Sequence, residues 1–173
     1  MKYILILLTA ILLIGEGCKV AATTRIYIVR HADRTNPPED DLIPIGVTRA
    51  NELKRVLLLA GVDSIFSTNF ERTKKTVQPL ATAKNLQIII YDNNANLLLR
   101  ILKNSKGKTV LVAGHSDTVS ELILLCGCSP PFAQIPSTQF DNLWLIILKK
   151  EKINNEVSTS CKLLQMKYGA ITN

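Results

Sequence analysis

Short apolar runs and helical stripes alternate along most of the chain. Residues 25–29, 64–66, 87–91 and 109–113 are short, largely apolar or β-branched, and bounded by turn residues, which predicts strands. Between them apolar positions recur at helical spacing. Ala50, Leu53, Val56, Leu57 and Ala60 share one face, with Gly61 as a C-terminal stop. Phe70, Thr73, Val77, Leu80 and Ala81 form a second stripe, with Ser67, Thr68 and Asn69 as capping candidates. Pro79 falls inside that stripe and is expected to kink or split the helix. A third stripe covers residues 95–102 and a fourth 118–125. Near the end, residues 143–148 and 157–164 flank a polar stretch and predict a hairpin. Strands alternating with helices predict an α/β fold, a three-layer α/β/α sandwich. Its central sheet is expected to be mostly parallel, with an antiparallel C-terminal edge.

The beginning of the chain follows another pattern. Lys2 precedes an apolar run from Tyr3 to Ile14, followed by Gly15-Glu16-Gly17-Cys18. That run is too short for a bilayer span, which takes about 20 apolar residues. A cationic start, a short apolar stretch and small residues predict a secretory signal. Cys18, directly after a small residue, resembles the lipobox cysteine of bacterial lipoproteins, which is acylated and becomes the new N-terminus. Gly15 stands where such boxes usually carry leucine, and Glu16 is unusual there. Cleavage near Ala21-Ala22 and an uncleaved anchor remain open. The expected division is a lipoprotein-type signal over 1–17, a linker over 18–24 and one folded domain over 25–173. The product is expected to be exported and membrane-anchored through Cys18, facing the periplasm or cell surface.

A length of 173 residues suits one domain, and 47% hydrophobic residues suffice for its core. The net charge of +7 raises the question of an anionic partner. The lysines are scattered, without aromatic interleaving or a groove-reading motif, which argues for a solvated basic surface and against nucleic acid. Of four cysteines, three remain if Cys18 carries lipid: Cys126, Cys128 and Cys161. One disulfide suits an oxidising compartment, its pairing left open. Cys126 and Cys128 lack the second pair or nearby histidine that a zinc site needs. Lys106-Gly107-Lys108-Thr109 is not a nucleotide-phosphate loop, because Leu102 stands where glycine is required and a strand follows rather than precedes.

The chain has two histidines, and both end apolar runs. His31 ends Ile26-Tyr27-Ile28-Val29-Arg30-His31, and His115 ends Val110-Leu111-Val112-Ala113-Gly114-His115. Each run would deliver its histidine to the carboxyl end of a strand, where open parallel sheets bind ligands. Arg30 adjoins His31, and Arg72 falls in the first turn after a strand ending near Ser67. Arginine is suited to forked hydrogen bonds with phosphate, and a helix N-terminus favours an anion. Taken alone, Arg72 would read as a surface ion pair.

Together these residues resemble the histidine phosphatase superfamily, which is phosphoglycerate-mutase-like. Arg30-His31-Ala32 is similar to its first signature. Leu42-Ile43-Pro44-Ile45-Gly46 with Arg49, Ala50 and Leu53 resembles a second segment. Ser67, Arg72, Thr73, Thr76 and Pro79-Leu80-Ala81 resemble its arginine helix, and Gly114-His115-Ser116 its second-histidine motif. The resemblance runs in order from Ile26 to Leu125 and implies a phosphatase without cofactor or metal. His31 would take the phosphoryl group as phosphohistidine, while Arg30, Arg72 and His115 hold its non-bridging oxygens. Neighbouring guanidinium groups would also keep His31 unprotonated. The implied partner is a small phosphorylated substrate. The short phosphohistidine phosphatases are of similar size.

The departures concern the proton donor. Larger members carry a glutamate in an insertion after the arginine helix, and here only a few residues join Asn85 to the next strand. Asp117 is the first candidate for a catalytic donor and Asp33 the second; a helix cap is the competing role for Asp117. A missing donor would suit substrates with good leaving groups, and a missing lid argues against a mutase. His31-Ala32-Asp33 and His115-Ser116-Asp117 also have a spacing open to a metal-dependent phosphoesterase. Arg30 beside His31 opposes a cation there. A phospho-ligand-binding lipoprotein with little turnover is the non-enzymatic alternative.

Overall fold

A computed structural model of the protein describes residues 20–153 and 156–172. The signal expected over 1–17 and the lipid site at Cys18 lie outside them. The elements run β1 (Val20–Arg30), α1 (Pro44–Leu57), β2 (Ser64–Ser67), α2 (Glu71–Lys84), β3 (Ile88–Ile90), α3 (Asn94–Asn104), β4 (Thr109–Gly114), α4 (Ser116–Leu125), β5 (Asn142–Ile153) and β6 (Glu156–Lys167). They form one sheet in the order β3-β2-β4-β1-β5-β6. The first four of that order pair in parallel; β5 and β6 add an antiparallel edge. This is the expected α/β/α sandwich.

Strand alternation divides the core in two. On β1 and β4, Ile26, Ile28, Val110 and Val112 face Leu97 and Ile101 of α3 and Val119, Leu122 and Ile123 of α4. Val29, Leu111 and Ala113 face Leu53 and Leu57 of α1 and Val77, Leu80 and Ala81 of α2. Side chains of a strand point alternately to its two faces, so residues buried on both sides must be apolar throughout. Among the described residues no helix is long and apolar enough to cross a membrane.

Three expectations need correction. β1 starts at Val20, so residues 20–24 are strand rather than linker: they pair antiparallel with β5, and Thr24 Oγ1 is buried between Ser105 O and Gly107 N–H. Pro79 does not split α2, which runs unbroken to Lys84. The carbonyl that loses its donor belongs to Lys75, an exposed residue whose backbone water can serve. Ser67, Thr68 and Asn69 do not cap α2. Its N-cap is Phe70, without a side-chain bond, and the Glu71 N–H is taken by Asp40 Oδ2 at 2.7 Å.

The disulfide joins Cys128, just past α4, to Cys161 on β6. Cys126 is buried and free, its thiol pushed up to about 12 by burial.

Candidate active site

Strand register builds the site. Arg30 pairs with Gly114, so the next residues, His31 and His115, leave adjacent parallel strands side by side. Their ring centroids are 5.5 Å apart, edge to face. The backbone is tight here: a Cβ on Gly114 would lie 2.8 Å from Thr118 Oγ1 and 2.9 Å from Tyr91 OH. Ser67 of β2 pairs with Ala113, which brings Thr68 and the first turn of α2 to the same end. Thr76 Oγ1 locks these parts together, accepting from Ala32 N–H at 2.8 Å and donating to Arg72 O at 2.7 Å.

His31 is 3% exposed. Its Nδ1 lies 2.8 Å from Ala32 O. A carbonyl only accepts, so Nδ1 carries the hydrogen and Nε2 of the neutral ring keeps its lone pair. The ring's pKa falls to about 3; burial is the main cause, opposed by the Ala32 bond and reinforced by Arg30, Arg72 and His115. The guanidinium effect expected from the sequence is present but secondary. His115 Nε2 lies 3.0 Å from Thr68 Oγ1, and its ring meets Phe70 edge-on at 5.0 Å. Burial, then Arg72, also lowers its pKa.

Arg30 is held from far along the chain. One of its terminal nitrogens donates to the carbonyls of Pro136, Ser137 and Gln139 at 2.9, 3.0 and 3.0 Å. Its guanidinium lies 4.2 Å from the Phe140 ring centre. Burial, Arg34 and Arg72 lower its pKa to about 10, which leaves it charged at neutral pH. Arg72 stacks on Phe70 at 4.3 Å and pairs with Asp40. Arg30 Nε and Arg72 Nε are both buried without a hydrogen-bond partner. Two such donors beside a neutral imidazole suit the oxygens of an anion.

The carboxylates divide. Asp33 is not free for proton transfer, because Arg49 Nε holds its Oδ2 at 2.6 Å in a buried pair. Asp117 is exposed in the first turn of α4; its Oδ1 accepts from Thr118 N–H at 2.8 Å, and its charge partly opposes the lowering at His115. The N-cap of α4 is His115, not Asp117. Among the described residues, no group of three or more His, Cys, Asp or Glu is placed to hold a metal. An apolar cavity of about 510 Å³ lies between α1 and α2, and none of Arg30, His31, Arg72 or His115 lines it. Asp40, Thr68, Phe70, Phe140 and the 136–139 carbonyls were not anticipated as site groups. Thr68 and Phe70 lie in the same segment as Arg72, where the sequence marks a capping candidate and the start of an apolar stripe.

Solved structures share this fold. The phosphoserine phosphatase of Entamoeba histolytica, in complex with 3-phosphoglyceric acid, gives a TM-score of 0.59 at 14% identity, covering 86% of this chain and 98% of that one. A mycobacterial glucosyl-3-phosphoglycerate phosphatase gives 0.59 at 13%, covering 82% and 98%. The phosphoglycerate mutase of Plasmodium falciparum gives 0.50 at 17%, covering 81% and 89%. At these identities the likeness is one of fold alone. No family model and no curated protein sequence matches the chain.

Proposed function

We propose that the protein is a phosphatase that hydrolyses a small phosphorylated compound through a phosphohistidine on His31. The observation that carries this reading is the His31 ring: Nδ1 is committed to Ala32 O, and two arginines beside the ring keep an unpartnered Nε. In the first step Nε2 attacks phosphorus, the N–P bond forms and the P–O bond to the leaving group breaks. Arg30, Arg72 and His115 hold the non-bridging oxygens as the group flattens, a task of positioning and electrostatics. The leaving oxygen takes a proton from Asp117 or, for good leaving groups, departs unaided. Water then gives a proton to the Asp117 carboxylate and attacks phosphorus, the N–P bond breaks and inorganic phosphate leaves. No metal or cofactor enters these steps.

The same reading places the protein outside the cytoplasm, anchored by lipid on Cys18. The Cys128–Cys161 disulfide supports an oxidising compartment. Periplasmic or surface phosphate esters are then the substrate class.

The test is hydrolysis of an aryl phosphate by the full chain in detergent, with EDTA, beside a His31→Ala variant. Activity that survives EDTA and vanishes in the variant is expected. Loss to EDTA would transfer the reading to a metal-dependent phosphoesterase. Phosphate binding without turnover would transfer it to a binding lipoprotein.

A further inference from the structure

Asp40 belongs to the segment between His31 and α1, to which the reaction above gives no task. Its carboxylate bridges two donors of α2: Oδ2 accepts from Glu71 N–H at 2.7 Å and Oδ1 from Arg72 at 2.5 Å. The segment is pinned around it. Asp41 pairs with Lys75 at 2.5 Å, one turn further along α2, and Thr35 N–H donates to Asp41 O at 2.9 Å. Burial opposes the charge on Asp40, but the bonds from Glu71 and Arg72 outweigh it and keep the carboxyl below the usual range. Arg72 and the N-terminus of α2 thus already carry an anion that belongs to the protein.

We propose that Asp40 is an internal competitor for the phosphate donors: each phosphate anion binds by displacing this carboxylate, and its return speeds phosphate release. This rests on the reading of Arg72 as a phosphate donor. Phosphate displaces the carboxylate because it brings a second charge and more acceptor oxygens than a carboxylate has. The carboxylate remains tethered nearby and retakes Arg72 when the phosphate leaves. Such a competitor weakens the ground-state grip on both substrate and product, which favours a hydrolase that must discharge inorganic phosphate over a mutase that must keep it.

Calorimetric titration of inorganic phosphate into the full chain in detergent tests this, with Asp40→Asn, Asp40→Ala and Asp41→Asn alongside wild type. Both Asp40 variants are expected to bind phosphate about three- to tenfold more tightly than wild type. Asp41→Asn, which loosens the clasp but leaves the competitor, is expected to stay near wild type. The asparagine variant retains an acceptor for Glu71 N–H, and its melting temperature checks the fold. Unchanged affinity in both Asp40 variants overturns the proposal. So does weaker affinity, which would make Asp40 a positioning residue for Arg72. Equal tightening by Asp41→Asn also overturns it, since general charge would then be the cause. These outcomes are independent of turnover. Tighter phosphate in a protein that hydrolyses nothing would remove only the phosphatase reading, and unchanged affinity in an active enzyme would remove only this proposal.

Discussion

Arg49 Nε and Asp33 Oδ2 meet at 2.6 Å inside the protein, two residues along the chain from His31. Arg49 is 1% exposed, and one of its terminal nitrogens also donates to Tyr168 O and Ala170 O. The pair therefore ties the segment after His31 to α1 and to the C-terminal residues. Removing one partner strands the other charge in a poorly solvating interior. Arg49→Ala is expected to destabilise the fold by about 3–5 kcal/mol, and Arg49→Lys by less, as read from urea midpoints. Unaltered midpoints would show that this contact is dispensable.

Stability should also fall in acid because of His31. Its folded pKa, about 3, lies below the unfolded value near 6.5. Between those values the unfolded chain binds a proton that the folded chain refuses. The stabilisation is therefore full above 6.5 and is lost as pH drops through this window, at up to about 1.4 kcal/mol per pH unit. Denaturant titrations at pH 7 and pH 5 are expected to show a smaller acid loss for His31→Asn than for wild type. An equal loss would place the acid sensitivity elsewhere.

The role of Asp117 can be read from the leaving group. A proton donor matters most when the departing oxygen is a strong base. Asp117→Asn is expected to slow an alkyl phosphate about a hundredfold and an aryl phosphate much less. A uniform effect on both would leave Asp117 as a group that merely sets the charge around His115.

Cys128 and Cys161 stand outside the arginine and histidine cluster. Replacing both by serine is expected to cost about 2–4 kcal/mol of stability, mainly through the unfolded chain, and to leave kcat within about twofold. Cys126, buried and raised to about 12, is expected to resist alkylation in the native protein and react on unfolding. Fast alkylation of the native chain would contradict its burial.

What was legible in the sequence is what local spacing encodes. The strands at 64–66 and 109–113 and the stripes around Leu53, Val77, Leu97 and Leu122 mark buried faces, and the structure places them in the two core clusters. His31 and His115 follow because both end such runs. The groups that complete the site come from afar. Asp40 reaches Arg72 across 32 positions and the 136–139 carbonyls reach Arg30 across more than 100, separations that leave no periodic trace. The start of β1 was missed for a related reason: Ala22-Thr23-Thr24 is weakly apolar, and only pairing with β5 makes it strand. The choice of Cys161 as partner for Cys128 likewise depends on where β6 docks, not on cysteine spacing.

The three carbonyls around Arg30 have a consequence for biogenesis. The residues singled out as candidates in the sequence have all been synthesised by residue 125, yet the carbonyls that grip Arg30 arrive only with residues 136–139. A chain interrupted before that loop would carry His31 without a fixed arginine beside it. The fixed position of Arg30 thus waits for the last segments to fold against the first strand.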